Sequence, residues 1–206
     1  MFTGFQDIDL FLPCGLDGKY IVLAGHPGTG KTTLALSMAI NITLDGYDIA
    51  YLSLAGKADA LNLQADNMVF KECRFGKIKI KIYDNDKEIN DISAGSVIFI
   101  DGKHGNNLKL HFLNHAPSLV VFVYEIPVPD RLCKIPVRAD LPPELDSFAD
   151  VVLFLHNRNA IIAKNDDGPV GIAALEYVEK YIFREYPEFG NCYIEKYRAF
   201  KDKNRI

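Results

Sequence analysis

The sequence predicts an α/β domain with a mostly parallel central sheet flanked by helices and a β-hairpin near the C-terminal end. Three observations carry this expectation. Short, continuous apolar runs recur at 20–24, 49–54, 97–100, 119–124 and 151–155, the pattern of strands buried on both faces. A helical apolar spacing separates the first two runs, as a parallel connection requires. A glycine-rich turn follows the first run directly. Apolar residues make up 49% of the chain and charged residues 24%, the balance of an ordinary globular core. The 206 residues bury one such core, and no repeat or linker divides them, so 1–206 reads as a single domain.

The elements follow in order. Residues 20–24 form the first strand, and a helix runs from Gly30 to Leu44, with Leu34, Leu36, Met38 and Ile40 as its buried face. Asp45-Gly46 ends it. The strand at 49–54 leads to a helical stretch near 58–70. Ile78, Ile80 and Ile82 alternate with Lys77, Lys79 and Lys81, a period of two that suits an edge strand whose lysines keep it soluble; the same lysines would also make a basic stripe for phosphate backbones. The run at 97–100 ends on Asp101, and 119–124 is the next buried strand. Five prolines between 127 and 143 predict an irregular surface connection. After the strand at 151–155, residues 160–164 and 170–177 flank Asn165-Asp166-Asp167-Gly168-Pro169 as a hairpin. Residues 178–206 are an aromatic C-terminal extension, whose Tyr181, Phe183, Tyr186, Phe189, Tyr193 and Phe200 would pack on the domain or a partner, or stack on bases.

Composition excludes several functions. No apolar run is long enough to span a bilayer and no basic start precedes an apolar stretch, so the expectation is a cytoplasmic protein with no membrane partner. Cys14, Cys73, Cys133 and Cys192 show no metal-ligand spacing. His111 and His115 are four apart but lack a third ligand, and Asp84, Asp86, Glu88 and Asp91 read as a solvated loop. The net charge of −4 argues against tight, non-specific nucleic-acid binding over the whole surface and leaves weak single-strand binding to local lysines.

Gly25-His26-Pro27-Gly28-Thr29-Gly30-Lys31-Thr32 matches the phosphate-binding (Walker A) pattern G-x-x-x-x-G-K-Ser/Thr without a mismatch, between a predicted strand and a predicted helix. Glycines let successive backbone N–H groups approach phosphate oxygens, and the helix that follows turns its positive end to the same anion. Lys31 is expected on the β- and γ-phosphates of ATP and the Thr32 hydroxyl on Mg²⁺, with Thr33 completing the nucleotide contacts. Asp101, at the end of a buried strand downstream, is expected to order the Mg²⁺ shell.

Around this loop the chain resembles the RecA-like ATPase domain of DnaB-type replicative DNA helicases, and more distantly their KaiC and RadA relatives. The likeness begins at Thr3-Gly4-Phe5 with Asp9 and runs through Gly15-Leu16, the phosphate loop and Thr33-Leu34-Ala35-Leu36. It continues in Ile49-Ala50-Tyr51-Leu52-Ser53-Leu54, in Ala149-Asp150-Val151-Val152-Leu153-Phe154-Leu155, and in Lys164 with Gly168-Pro169-Val170-Gly171. The resemblance implies a nucleotide-binding domain linked to DNA replication or repair, with protein partners or self-association. It also marks departures. The family's catalytic Glu falls on Ala55, which cannot orient water; its γ-phosphate-sensing Gln falls on Glu125, and the arginine it supplies to a neighbouring subunit falls on Asp166. Glu125 is therefore the candidate catalytic substitute, and Lys164 the candidate cation acting in trans. The family's DNA loop falls on 141–148, glycine-free and acidic at Glu144 and Asp146, and its N-terminal helical domain and linker helix have no counterpart ahead of Thr3. His104, after the Asp101 strand, is a phosphate sensor or a loop histidine. The expected function is an ATP-binding regulatory or assembly module with weak or absent hydrolysis. The alternatives are a minimal helicase-like ATPase using Glu125, or an interaction domain held together by nucleotide.

Overall fold

The computed structural model describes residues 1–54, 59–61, 80–83, 96–102, 117–127 and 135–175. Its frame is an eight-stranded sheet made of β1 (Lys19–Gly25), β2 (Ile49–Ser53), β3 (Ile80–Tyr83), β4 (Val97–Asp101), β5 (Leu119–Glu125), β6 (Val151–His156), β7 (Asn159–Asn165) and β8 (Gly171–Ala174). The order is β3-β2-β4-β5-β1-β6-β7-β8. The strands from β3 to β6 are parallel, and β7 and β8 close the sheet antiparallel. The mostly parallel sheet is thus as the sequence predicts, and β7 and β8 form the predicted hairpin as far as the described residues run. β3 lies at an edge, as its alternating pattern requires; Lys77 and Lys79 lie outside the described residues.

Alternation along the central strands splits the core between two faces. Ile21, Leu23, Phe99, Val121 and Leu153 point to one side, and Val22, Ile98, Val120, Phe122 and Phe154 to the other. Against the first face lies α2 (Lys31–Leu44). Its burial is a correction to the single apolar face read from the sequence, because Leu34, Ala35, Leu36, Ser37, Met38, Ala39 and Ile40 are all buried. The N-terminal segment accounts for part of this. Asn41 of α2 donates from Nδ2 to the Thr3 carbonyl at 2.9 Å, and Gly4 packs so tightly on Asn41 that a Cβ there would lie 2.2 Å from Nδ2. The segment is folded onto α1 (Gln6–Asp9) by Asp9, whose carboxylate accepts from the Thr3 N–H, the Thr3 hydroxyl and the Gly4 N–H.

On the opposite face a short helix, α3 (Pro143–Phe148), covers β1. Its start suits two prolines, since the first turn has no intrahelical use for their missing N–H groups. Phe148 packs against Tyr20, with ring centroids 4.2 Å apart, and against Phe122 at 6.0 Å. The irregular connection predicted over 127–143 holds at 135–137, then tightens into a 3₁₀ turn at Arg138–Asp140. A second hairpin was not legible in the sequence. β6 and β7 are joined by Asn157-Arg158, both left-handed (φ 46° and 64°), the conformation of a tight two-residue hairpin turn. The helical stretch predicted at 58–70 falls on described residues only at 59–61, which are helical. Ala55, His104, His111, His115, the acidic cluster at 84–91 and the extension at 178–206 lie outside the described residues. No helix is long and apolar enough to cross a membrane among the described residues.

Candidate functional site

The carboxyl ends of the parallel strands meet at one rim, where ligands of open α/β sheets bind. Register places them side by side: Gly25 opposite Glu125, and Ser53 opposite Asp101. The phosphate loop leaves β1 at this rim and enters α2. Gly25 leaves no room for a side chain, because a Cβ would stand 2.8 Å from the Leu155 carbonyl and 2.9 Å from the Thr29 hydroxyl. Gly28 (φ 76°) and Gly30 (φ 91°) take the left-handed conformation that folds the loop back over the helix start. Pro27 and Gly28 are exposed at its crown.

The loop is braced from within. The His26 carbonyl accepts from the Thr29 hydroxyl at 2.9 Å and from Lys31 Nζ at 2.7 Å. Lys31 is only 7% exposed, and its ammonium lies 3.8 Å from the Glu125 carboxylate. Burial pulls the Lys31 pKa down, and the negative charges of Glu125 and Asp101 partly offset that pull. An ammonium has three donors, so the His26 contact leaves others for an anion. The imidazole Nδ1 of His26, within the loop, is buried without a hydrogen-bond partner.

Thr32 opens the helix beside Asp101, and its hydroxyl donates to Asp101 Oδ2 at 2.7 Å. Two residues 69 apart in sequence, both named from the chain alone, thus converge. Tyr51 was not foreseen as part of this group. Its hydroxyl donates to the same Oδ2 at 3.0 Å from a fully buried ring on β2. A tyrosine inside a run of strand residues gives no sequence signal beyond β-propensity. Thr33, one turn-position further, is partly buried, and its carbonyl accepts from Ser37.

The donor set fits a magnesium nucleotide: a glycine-turned loop, a buried lysine, a hydroxyl and a carboxylate in contact, and an unpartnered imidazole nitrogen. Among the described residues no group of three or more His, Cys, Asp or Glu could hold a metal by itself, so a cation here would rely on ligands supplied by the nucleotide.

Two further candidates sit elsewhere. Lys164 is 17% exposed and turns to the end of α3, where its ammonium donates to the Ala149 carbonyl and to the Asp146 carbonyl at 3.3 Å. Asp166 follows 3.6 Å from it. The segment 141–148, expected from the resemblance to stand at the family's DNA loop, holds helix α3, packed on the sheet by Leu145 and Phe148, and Arg138 beside it is engaged by Asp146 in a two-pronged ion pair.

Comparison with known proteins agrees with the fold. Over 88% of its length the chain superposes on 89% of a solved ATPase domain, with TM-score 0.66 at 18% identity. Over 87% of its length it superposes on 61% of a DnaB-like replicative helicase studied for its interactions with primase, with TM-score 0.67 at 18% identity. The fold is therefore RecA-like. In sequence it is 22% identical to a probable plasmid replicative DNA helicase of Chlamydia muridarum, covering 86% of this chain and 53% of that one. It is 24% identical to the replicative DNA helicase DnaC of Bacillus subtilis, covering 87% and 55%. A shorter stretch, 32% of the chain, is 34% identical to the DNA repair protein RadA of Campylobacter jejuni, covering 15% of that protein. The chain spans about half the length of the helicases it matches. The family model described as the DnaB-like helicase C terminal domain matches residues 1–109, more than half of the sequence, and the chain belongs to that family.

Proposed function

We propose that this domain binds ATP with Mg²⁺ at the rim of the sheet and hydrolyses it weakly or not at all, as a regulatory or assembly module of DNA replication or repair. The observation that carries the reading is the convergence of Lys31, Thr32 and Asp101 around the phosphate loop. Lys31 would hold the β- and γ-phosphates, Thr32 and Asp101 would hold Mg²⁺ and its water, and the loop from Gly25 to Thr33 would wrap the phosphates with its N–H groups. The magnesium ion would supply charge neutralisation between those phosphates.

Weak turnover is supported by residue type. Ala55 stands where the family has its catalytic Glu, and a methyl group accepts no proton. Asp166 stands where it has an arginine, and charge stabilisation of that kind is worth about 10³–10⁵ in rate. Lys164, the nearby cation, would have to leave the carbonyls at the end of α3 to act on a neighbouring subunit's nucleotide. The second reading, a working ATPase, has one observation in its favour: Glu125 lies beside Lys31 at the strand end, where an acceptor for a water proton would sit. A cytoplasmic setting and a protein or single-stranded DNA partner belong to the same proposal.

Equilibrium ATP binding, with turnover followed in the same preparation, tests it. Lys31→Ala removes the charge on the phosphates, so affinity should fall at least about tenfold, or ~1.4 kcal/mol. Unchanged affinity in a folded variant would refute the site. Wild-type turnover should stay far below the ~10 s⁻¹ of a typical enzyme. A rate of that order, abolished in Glu125→Gln, would establish the second reading instead.

A further inference from the structure

The site contains one group that neither the phosphate-loop pattern nor the family match assigns. Tyr51 is buried in the middle of β2, its ring stacked on Phe99 of β4 with centroids 5.7 Å apart and planes 6° from parallel. This packing fixes the hydroxyl in space independently of any ligand. The hydroxyl donates to Asp101 Oδ2, the oxygen that also receives the Thr32 hydroxyl proton. Both bonds to the Asp101 carboxylate among the described residues end on Oδ2, so Oδ1 receives neither.

We infer that Tyr51 is a positioning residue for magnesium: it pins Asp101 by Oδ2 and leaves Oδ1 to accept from the water shell of the cation. The inference rests on the nucleotide reading above and adds a device to it. A carboxylate at a strand end can rotate about two side-chain bonds, and a single bond from Thr32 leaves it free to swing about that contact, which a second bond to the same oxygen from a fixed ring restricts. The bond from Tyr51 competes with nothing, since its ring has no access to solvent. A phenol is a neutral donor throughout the physiological span. Phenylalanine would keep the stack on Phe99 and remove only the donor.

The test is a Mg²⁺ titration of the binding of a fluorescent ATP analogue to the full chain, wild type and Tyr51→Phe, with parallel binding in EDTA. Because Tyr51 acts on the cation only through Asp101, part of the worth of its hydrogen bond reaches Mg²⁺, and the Mg²⁺ concentration for half-maximal binding should rise roughly three- to tenfold. Affinity in EDTA should change less than about twofold. In an Asp101→Ala background Tyr51→Phe should add nothing, because it acts through Asp101. A thermal melt confirms that Tyr51→Phe is folded. Superimposable Mg²⁺ curves, or an equal loss with and without Mg²⁺, would overturn the inference and leave the nucleotide site standing. A wild type that binds no nucleotide would remove both.

Discussion

Asp9 shows how one buried side chain sets conditions on the whole N-terminal segment. Three donors from Thr3 and Gly4 favour its anion, yet burial outweighs them and pushes the carboxyl up to about 7. An aspartate in the unfolded chain titrates near ~3.9. Between those values the native state binds the extra proton, so stability falls as pH rises across the window. The contribution of Asp9 is full below the unfolded value and is lost as pH climbs through about 7. Asp9→Asn cannot titrate. In urea unfolding the stability advantage of wild type over Asp9→Asn should therefore shrink from about pH 5 to about pH 8, other groups cancelling in the difference. An advantage that stays flat from about pH 5 to about pH 8 would mean that the three hydrogen bonds win and the anion is the native form, its pH dependence then lying below ~3.9. Thr3-Gly4-Phe5 and Asp9 were legible in the sequence as part of a family pattern. That they clamp each other, and that Gly4 seats Asn41 of α2, was not, because nothing in their spacing specifies a partner 38 residues away.

Among the elements, the parallel strands and α2 could be read in advance because continuous apolar runs and a glycine-rich loop are strong local signals. α3 could not. Its six residues hold two apolar side chains and one proline at the start, too few to establish a period, and its stability comes from Leu145 and Phe148 packing on the sheet. Lys164 completes it from a distance. In β7 the pairing slips between Val152–Lys164 and Leu153–Ile162, which leaves Ala163 unopposed as a bulge. Beyond the bulge Lys164 reaches the carbonyls that end α3, where a positive charge is favourable. Lys164→Met keeps the apolar stem and removes the donors. It should lower unfolding stability by about 1–3 kcal/mol in urea melts, the cost of leaving partly buried carbonyls without their charged partner. A change under about 0.5 kcal/mol would show that the ammonium is dispensable there and free to act elsewhere.

At the scale of the molecule, charge and surface argue against strong DNA binding by this chain alone. The net charge is −4, the segment expected at the family's DNA loop holds the packed helix α3, and Arg138 is engaged by Asp146. Single-strand affinity measured by fluorescence anisotropy should be weak, sequence-independent and steeply reduced by salt, as contacts to phosphates are. Sub-micromolar binding that survives ~0.15 M salt, or ATP-dependent unwinding, would restore a helicase reading. Topology has a consequence for the timing of events as well. β1, which delivers the phosphate loop, has β5 on one side and β6 on the other, while β8 forms the outer end of the sheet. Amide protons of β1 are therefore released to solvent only when the sheet comes apart as a whole, and those of β8 by fraying. A ligand seated on the loop would rest on backbone that does not open locally, so its exchange would be governed by its own contacts and by the exposed crown at Pro27 and Gly28.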